Sequence, residues 1–570
     1  MNFEDILTEV GEFGYYQKRT AVLYLAASAL LLPFYAITAI FMISTPKHWC
    51  NVNQLANRTI DEQISLISPA VIDPYYGTET HDSCNMYDID YNYFVTNEAN
   101  ISTYKSAMNI SVLPVKPCSD GWSYDHYFYD NNAVTVLDLV CDRSNYVSLT
   151  FNVASIGTLV GTPFFGWLSD KIGRRRTYQI TLFVIIATIL SPTILRDLTS
   201  FLIFRGFTGL IVPSFYQLPF IILVELVGPS YRTLMNSVAC IGWVIGMCFV
   251  PLVAYLTRDW ALLNGICVAT VAIFFCYWKL LPESPRWLIM NQKYTEAERQ
   301  LQEMAKLNGR PPVQHLMEKL KAVGKSMSNE NQATEKVDNA LVVFLKNPIL
   351  RRNLIIMSVN WMICSGIYYG IQMNVYNFSG NEFINFFLLS VVEIPAYLVG
   401  WFSMETRLGR RWTFALFMLL CGLSLCVPAI TPVEYPVVST VMAMLGKFCV
   451  TLTFMIVYQQ GAELYPTAIR NQGLGIGTMA SMVANIIMPY VVFLTDLWIS
   501  LLVLGILGII ISFVSTILPE TLNVNLPQTI HEGSVFGKNQ KYFSFANTKS
   551  ITKIADNIDA KELENLNAFH

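Results

Sequence analysis

The chain has 570 residues, 53% hydrophobic and only 14% charged, with a mean hydropathy of +0.41. Soluble domains run nearer about 25% charged, so the composition excludes an ordinary soluble fold and points to an integral membrane protein. A formal net charge of −3 gives no footing for a nucleic-acid partner.

The first 19 residues hold Glu4, Asp5, Glu9 and Glu12 and no apolar core, so no cleavable leader is expected. The first span, from about Thr20, is expected to act as its own signal-anchor. A helix needs about 20 apolar residues to cross a bilayer. Such runs lie near 20–44, 146–168, 177–195, 201–226, 234–257, 260–281, 353–375, 383–404, 412–430, 436–460, 472–495 and 498–518. This predicts an all-α membrane protein of twelve spans; the short alternating segments of a closed barrel are absent.

Lys and Arg set the orientation. Lys18 and Arg19 precede span one; Lys171, Arg174, Arg175 and Arg176 stand between spans two and three; residues 282–352 hold twelve Lys/Arg. Residues 46–143 hold five, against thirteen Asp/Glu. Both termini and the central linker are therefore expected to be cytoplasmic, and the long first loop extracellular. That loop carries Cys50, Cys84, Cys118 and Cys141, an even number that suits an oxidising compartment and allows three pairings. It also carries glycosylation sequons at Asn57, Asn100 and Asn109. A fourth sequon, at Asn377, hugs the membrane. The other eight cysteines fall in spans and read as small core residues.

Three stretches recur. Gly166-Trp-Leu-Ser-Asp-Lys-Ile-Gly-Arg-Arg-Arg176 returns loosely as Gly400–Arg411, Val224–Arg232 as Ala462–Arg470, and Pro282-Glu-Ser as Pro519-Glu-Thr, at offsets of 236, 238 and 237 residues. One match could be chance; three at nearly one offset mean duplicated six-helix halves, which enclose a midplane site and rock about it. The expected organisation is a cytoplasmic N-terminus (1–19), a first bundle (20–281, with the loop 45–145), a helical linker (282–352), a second bundle (353–518) and a disordered tail (519–570).

Glu393, in Ser390-Val-Val-Glu-Ile-Pro395, is a carboxylate near the middle of span eight. A charge there is costly and normally faces an internal cavity. With no Arg or Lys seen at mid-span, it reads as the one fixed charge of the pocket. Asp170 is expected to cap a helix start and to pair with arginines such as Arg174 and Arg175. Glu225 with Arg232, and Glu463 with Arg470, read as partners in the same inner gate, joined in the second half by Glu405 and Arg410.

Gly166–Arg176 resembles the signature loop of the major facilitator superfamily. Phe3–Gly14, the large first loop, Cys141-Asp142, Pro282-Glu-Ser-Pro-Arg-Trp287 and Ala462-Glu-Leu-Tyr-Pro-Thr-Ala-Ile-Arg-Asn471 are similar to its organic cation/carnitine/anion transporter branch, over about residues 1–525. The resemblance implies a pocket holding Asn152, Tyr216, Trp243, Trp361, Tyr368 and the acidic Glu393. An aromatic box with one carboxylate suits a cation. Where that cation branch tends to carry Asp, and the anion and carnitine branches Arg, this chain has Met482. An organic anion is therefore disfavoured. A monovalent amine is expected, or a zwitterion whose carboxylate meets Asn152, Tyr458 or Gln459.

Other chemistries find no support. Gly473-Leu-Gly-Ile-Gly477 lies inside span eleven and reads as close packing. No Walker-type loop exists. All six histidines lie outside the spans, so no intramembrane metal site is expected, and no cofactor. Gly157-x-x-x-Gly161 and Gly242-x-x-x-Gly246 read as helix contacts inside a monomer. The expected function is alternating-access transport of a small organic cation or zwitterionic amine at the plasma membrane. One alternative is a Na⁺- or H⁺-coupled carrier of carnitine-like or β-amino-acid-like zwitterions. The other is a non-transporting receptor that uses its large loop.

Overall fold

The protein is described by a computed structural model. It covers residues 3–545 except 73–78, 93–113, 336–339, 433–434, 467–468, 523, 525–526, 528–529, 539 and 541–544. Among the described residues, twelve helices are long and apolar enough to cross a membrane. The first six spans are Tyr15–Met42, Cys141–Ile172, Arg174–Leu195, Leu198–Leu226, Leu234–Thr257 and Trp260–Leu280. Spans seven to twelve are Pro348–Asn377, Glu382–Met404, Gly409–Ile430, Pro436–Leu464, Arg470–Phe493 and Leu497–Ser515. Each lies on a predicted run, because in hydrocarbon every backbone N–H and C=O must be satisfied within its own helix. Spans one, two and seven start at least five residues earlier than the apolar runs, since polar first turns continue the helix.

Span eight is two helices, Glu382–Val391 and Glu393–Met404. Pro395 has no N–H for the carbonyl of Val391, so the ladder breaks there and Glu393 opens the second segment.

Small residues let helices meet backbone to backbone. A side chain at Gly157 or Gly161 would collide with the span-four backbone at Gly206 and Leu210. Gly242 and Gly246 do the same against span one at Ala26 and Leu30. Both Gly-x-x-x-Gly pairs therefore serve contacts inside the first half. Contacts between halves gather at the end that carries the long first loop. Ser148 donates to the Pro489 carbonyl at 3.3 Å. Phe151 stacks on Phe493 at 5.6 Å and Phe41 on Phe383 at 5.3 Å.

In that loop, strands β1 (His48–Cys50) and β6 (Trp122–Tyr124) pair, as do β2 (Ala70–Ile72) with β3 (Glu79–His81) and β4 (Asn85–Tyr87) with β5 (Val115–Pro117), all antiparallel. Trp49, Leu55, Leu66, Ile67 and Met86 make its small core. So little core needs staples, and the disulfides are Cys50–Cys118 and Cys84–Cys141. Asn57 is exposed there; Asn100 and Asn109 lie outside the described residues.

At the opposite end, helix α1 (Phe3–Val10) buries Phe3, Ile6, Leu7 and Val10, one stripe at helical spacing. It reaches linker helix α2 (Pro285–Met290) through Arg286 and rests on α3 (Tyr294–Leu307) and α4 (Leu316–Glu335). Glu4 accepts from Arg286 at 2.6 Å and Arg232 at 3.3 Å, and Glu9 from Lys319 at 2.6 Å. The tail, expected to be disordered, contributes a short helix, Ile530–Val535, and packs Gly533 beside Pro466. Gln540 bonds the Glu520 backbone at 2.8 and 2.9 Å.

Candidate functional site

Glu393 and Lys447 are each 0% exposed, and Lys447 Nζ stands 3.1 Å from Glu393 Oε1. The Tyr368 hydroxyl donates to the same oxygen at 2.6 Å. The Lys447 ammonium also lies 3.1 Å from the centre of the Tyr368 ring, and Trp243 Nε1 donates to the Tyr368 oxygen at 3.3 Å. Spans five, seven, eight and ten thus converge on one buried ion pair. Glu393 Oε2 has no hydrogen-bond partner among the described residues.

This corrects the expectation that no Lys or Arg stands at mid-span. Lys447, in Leu445-Gly-Lys-Phe448, interrupts the apolar run 436–460. The rule that singles out Glu393 applies to it equally. Glu393 is therefore not a lone charge. The chain's own ammonium stands against its carboxylate.

Aromatic rings continue from the triad. Trp361 meets Tyr458 edge-on at 4.3 Å and Phe454 at 5.7 Å, and Tyr368 lies 6.0 Å from Phe454. Trp361 is buried, whereas Tyr458 is 52% exposed. A side chain at Gly477 would come within 2.7 Å of the Trp361 ring, so that glycine of span eleven makes room for the indole. Tyr216 stacks on Phe220 at 5.9 Å and is half-buried, like Trp243 and Met482. Asn152 is buried with an Oδ1 that has no partner among the described residues.

Gln459 belongs elsewhere. Its amide donates to Glu463 at 2.6 Å, which assigns it to the linker-side charge cluster rather than to the triad. In that cluster Arg410 contacts Glu405 and Glu463, both at 3.3 Å, and Thr521 donates to Glu463 at 2.5 Å. In the first half Arg174 pairs with Asp170 at 3.0 Å and approaches Glu225 at 3.7 Å. Two expected pairs are rearranged. Glu225 meets Arg174 rather than Arg232, which reaches Glu4; Glu463 meets Arg410, while Arg470 donates to the Tyr465 carbonyl at 3.3 Å.

The cap of span three is also not Asp170, which lies inside span two. Glu283 accepts from the backbone N–H of Arg174 at 2.9 Å and Arg175 at 3.2 Å. Burial pushes the Glu283 carboxyl up, and the N–H groups of Ser284, Arg175 and Arg174 oppose that. Glu520 repeats the arrangement in the second half, with the N–H of Arg410 at 2.9 Å and Arg411 at 3.0 Å. Both carboxylates sit on the positive end of a helix. Each repeat thus ends in Pro-Glu so that its last carboxylate clamps its third helix.

The model of the "Sugar (and other) transporter" family matches residues 86–530. An organic cation transporter 1 of Caenorhabditis elegans is 31% identical, covering 94% of this chain and 89% of that one. A beta-alanine transporter of Drosophila melanogaster is 32% identical with the same coverage. The inward-open xylose transporter of E. coli aligns over 91% of this chain and 99% of that one, with TM-score 0.55 and 14% identity, a likeness of fold. The chain therefore belongs to the sugar and other transporter family, within the major facilitator superfamily and on its organic cation/carnitine branch, and is a membrane transporter, not an enzyme.

Proposed function

We propose that the chain carries small amines across the plasma membrane by alternating access, and that zwitterionic amines suit its site best. The observation that carries this is the pairing of Glu393 with Lys447 under the Tyr368 ring. A substrate ammonium takes the place of Lys447 at Glu393 and Tyr368, where charge and ring quadrupole both favour it. That frees an ammonium which must find another anion, because a buried charge without a partner is costly. A substrate carboxylate supplies that anion. Beta-alanine, the substrate in the name of one relative, has both groups on a short chain.

In this reading both termini and the linker are cytoplasmic, the protein works as a monomer, and Asn57, Asn100 and Asn109 carry glycans. The Arg174 and Arg410 clusters form the inner gate. For a monovalent cation no chemical fuel is needed: at about 2.3 kcal/mol per charge per 100 mV, roughly −60 mV supports about tenfold accumulation. A zwitterion carries no net charge, so it needs a coupling ion, Na⁺ or H⁺, to accumulate.

Uptake of labelled β-alanine and tetraethylammonium into proteoliposomes tests this with wild type, Glu393→Gln and Lys447→Gln. Glu393→Gln lowers both. Lys447→Gln lowers β-alanine uptake about tenfold or more, the loss of one charge-assisted bond, and spares the cation. Equal uptake by wild type and Glu393→Gln sinks the anchor role. Undiminished β-alanine uptake by Lys447→Gln sinks the zwitterion preference and leaves the simple-cation reading. Sodium replacement and pH jumps identify the coupling ion.

A further inference from the structure

A second charged site lies wholly inside the first half. Spans one, three, four and six line a partly open cavity of about 20 Å³, room for one small guest. Phe34, Tyr35, Ile189, Pro192 and Phe201 are among its walls, and Thr38, Thr188, Thr208 and Asn264 contribute polar groups. Arg205 of span four lines it, about 10 Å along the helix from Leu198 at 1.5 Å per residue. No Asp or Glu stands among the lining residues. Arg205 Nε is shut off from solvent and has no hydrogen-bond partner among the described residues.

The hydroxyls do not solve this. Thr38, Thr188 and Thr208 donate to carbonyls of their own helix, those of Phe34, Ile185 and Phe204. Asn264 spends one amide hydrogen on Thr193. The cavity therefore holds a permanent positive charge, an amide with a second N–H, and no resident negative group. Arg205 is half-buried as a whole, and a guanidinium nitrogen held out of water with no partner favours an anion beside it.

We infer that this cavity binds a small monovalent anion, chloride or one of its class, with Arg205 as its counter-charge. One fixed charge in a largely apolar wall suits a single, weakly hydrated negative charge. A phosphate or other polyanion would leave charge unmatched. The site is distinct from the triad at Glu393, which lies where the two halves meet, and its occupant holds spans one, three, four and six together around one ion.

The test uses the purified full-length protein. Its thermal midpoint is measured as sodium gluconate is replaced by sodium chloride or bromide at constant ionic strength, for wild type, Arg205→Gln and Arg205→Lys. Binding to the folded state raises the midpoint in a saturable way. The rise is expected in wild type, reduced in Arg205→Lys and lost in Arg205→Gln. Should Arg205→Gln fail to fold, saturable retention of radioactive chloride by wild type, weakened in Asn264→Leu, carries the test. Equal midpoints in gluconate and chloride for wild type overturn the proposal in favour of a merely hydrated arginine. So does a full chloride response in Arg205→Gln, or chloride retention that Asn264→Leu leaves unchanged.

Discussion

Replacing Lys447 with Met is the perturbation that most directly probes the site. Met keeps the length and apolar stem of Lys and removes the ammonium, so packing is nearly held while the charge goes. In the native protein that ammonium is 3.1 Å from Glu393 Oε1, and neither residue has any exposed surface. Glu393 Oε2 already lacks a partner among the described residues, so after the change Tyr368 is its remaining bonded neighbour. Removing one member of a buried pair typically costs about 3–5 kcal/mol, because the other charge is left uncompensated. Glu393→Gln should restore most of that loss, since a neutral amide needs no counter-charge. The double mutant should therefore cost less than the sum of the two single changes, by the upper end of about 0.5–3 kcal/mol. Thermal midpoints of the purified protein in detergent, measured for both single mutants and the pair, give the cycle. If Lys447→Met costs under about 1 kcal/mol, or adds independently to Glu393→Gln, the two groups are not a pair and the reasoning about substrate displacement fails with them.

Three further outcomes are expected. Glu520→Gln removes the charge that accepts from Arg410 and Arg411 and should lower stability by about 1.5–3 kcal/mol, seen as a lower thermal midpoint; no shift would mean that water serves those N–H groups as well. Gly161→Ala puts a methyl group into the span-four backbone at Leu210 and should abolish folded protein, whereas Gly166→Ala, with open space around its position, should express normally; gel-filtration profiles distinguish them. Glu283 has a carboxyl raised above the ordinary 4.5 by burial, so the folded state binds its proton more readily than the unfolded chain. Its contribution favours folding below that ordinary value and is lost as the pH rises through the raised one. Glu283→Gln should therefore flatten the pH dependence of the thermal midpoint just above pH 4.5, and an unchanged slope would remove Glu283 as its source.

The spans, the duplication and the candidate carboxylate are legible from the residues alone. Membrane helices obey a one-dimensional rule, since each must satisfy its own backbone hydrogen bonds within a contiguous apolar run. A charge that interrupts such a run is visible as soon as the run is read, and Lys447 was as visible as Glu393. Arg205, seven residues past the start of span four, stood out less because it lies near a boundary that sequence places only roughly. Which groups meet depends on packing in three dimensions. Asp170, Glu225, Arg232, Glu463 and Arg470 sit at helix ends, where several arginines compete for each carboxylate. Their partners depend on rotations and rotamers that no spacing encodes, and Arg232 turned to Glu4, some 228 residues away. The disulfide pairing required the fold of the loop, because four cysteines admit three solutions on paper. The pairing of span eight with span ten, which sets an ammonium against Glu393, follows from helix packing across 54 residues of chain, and the proposed preference for a zwitterion rests on that contact.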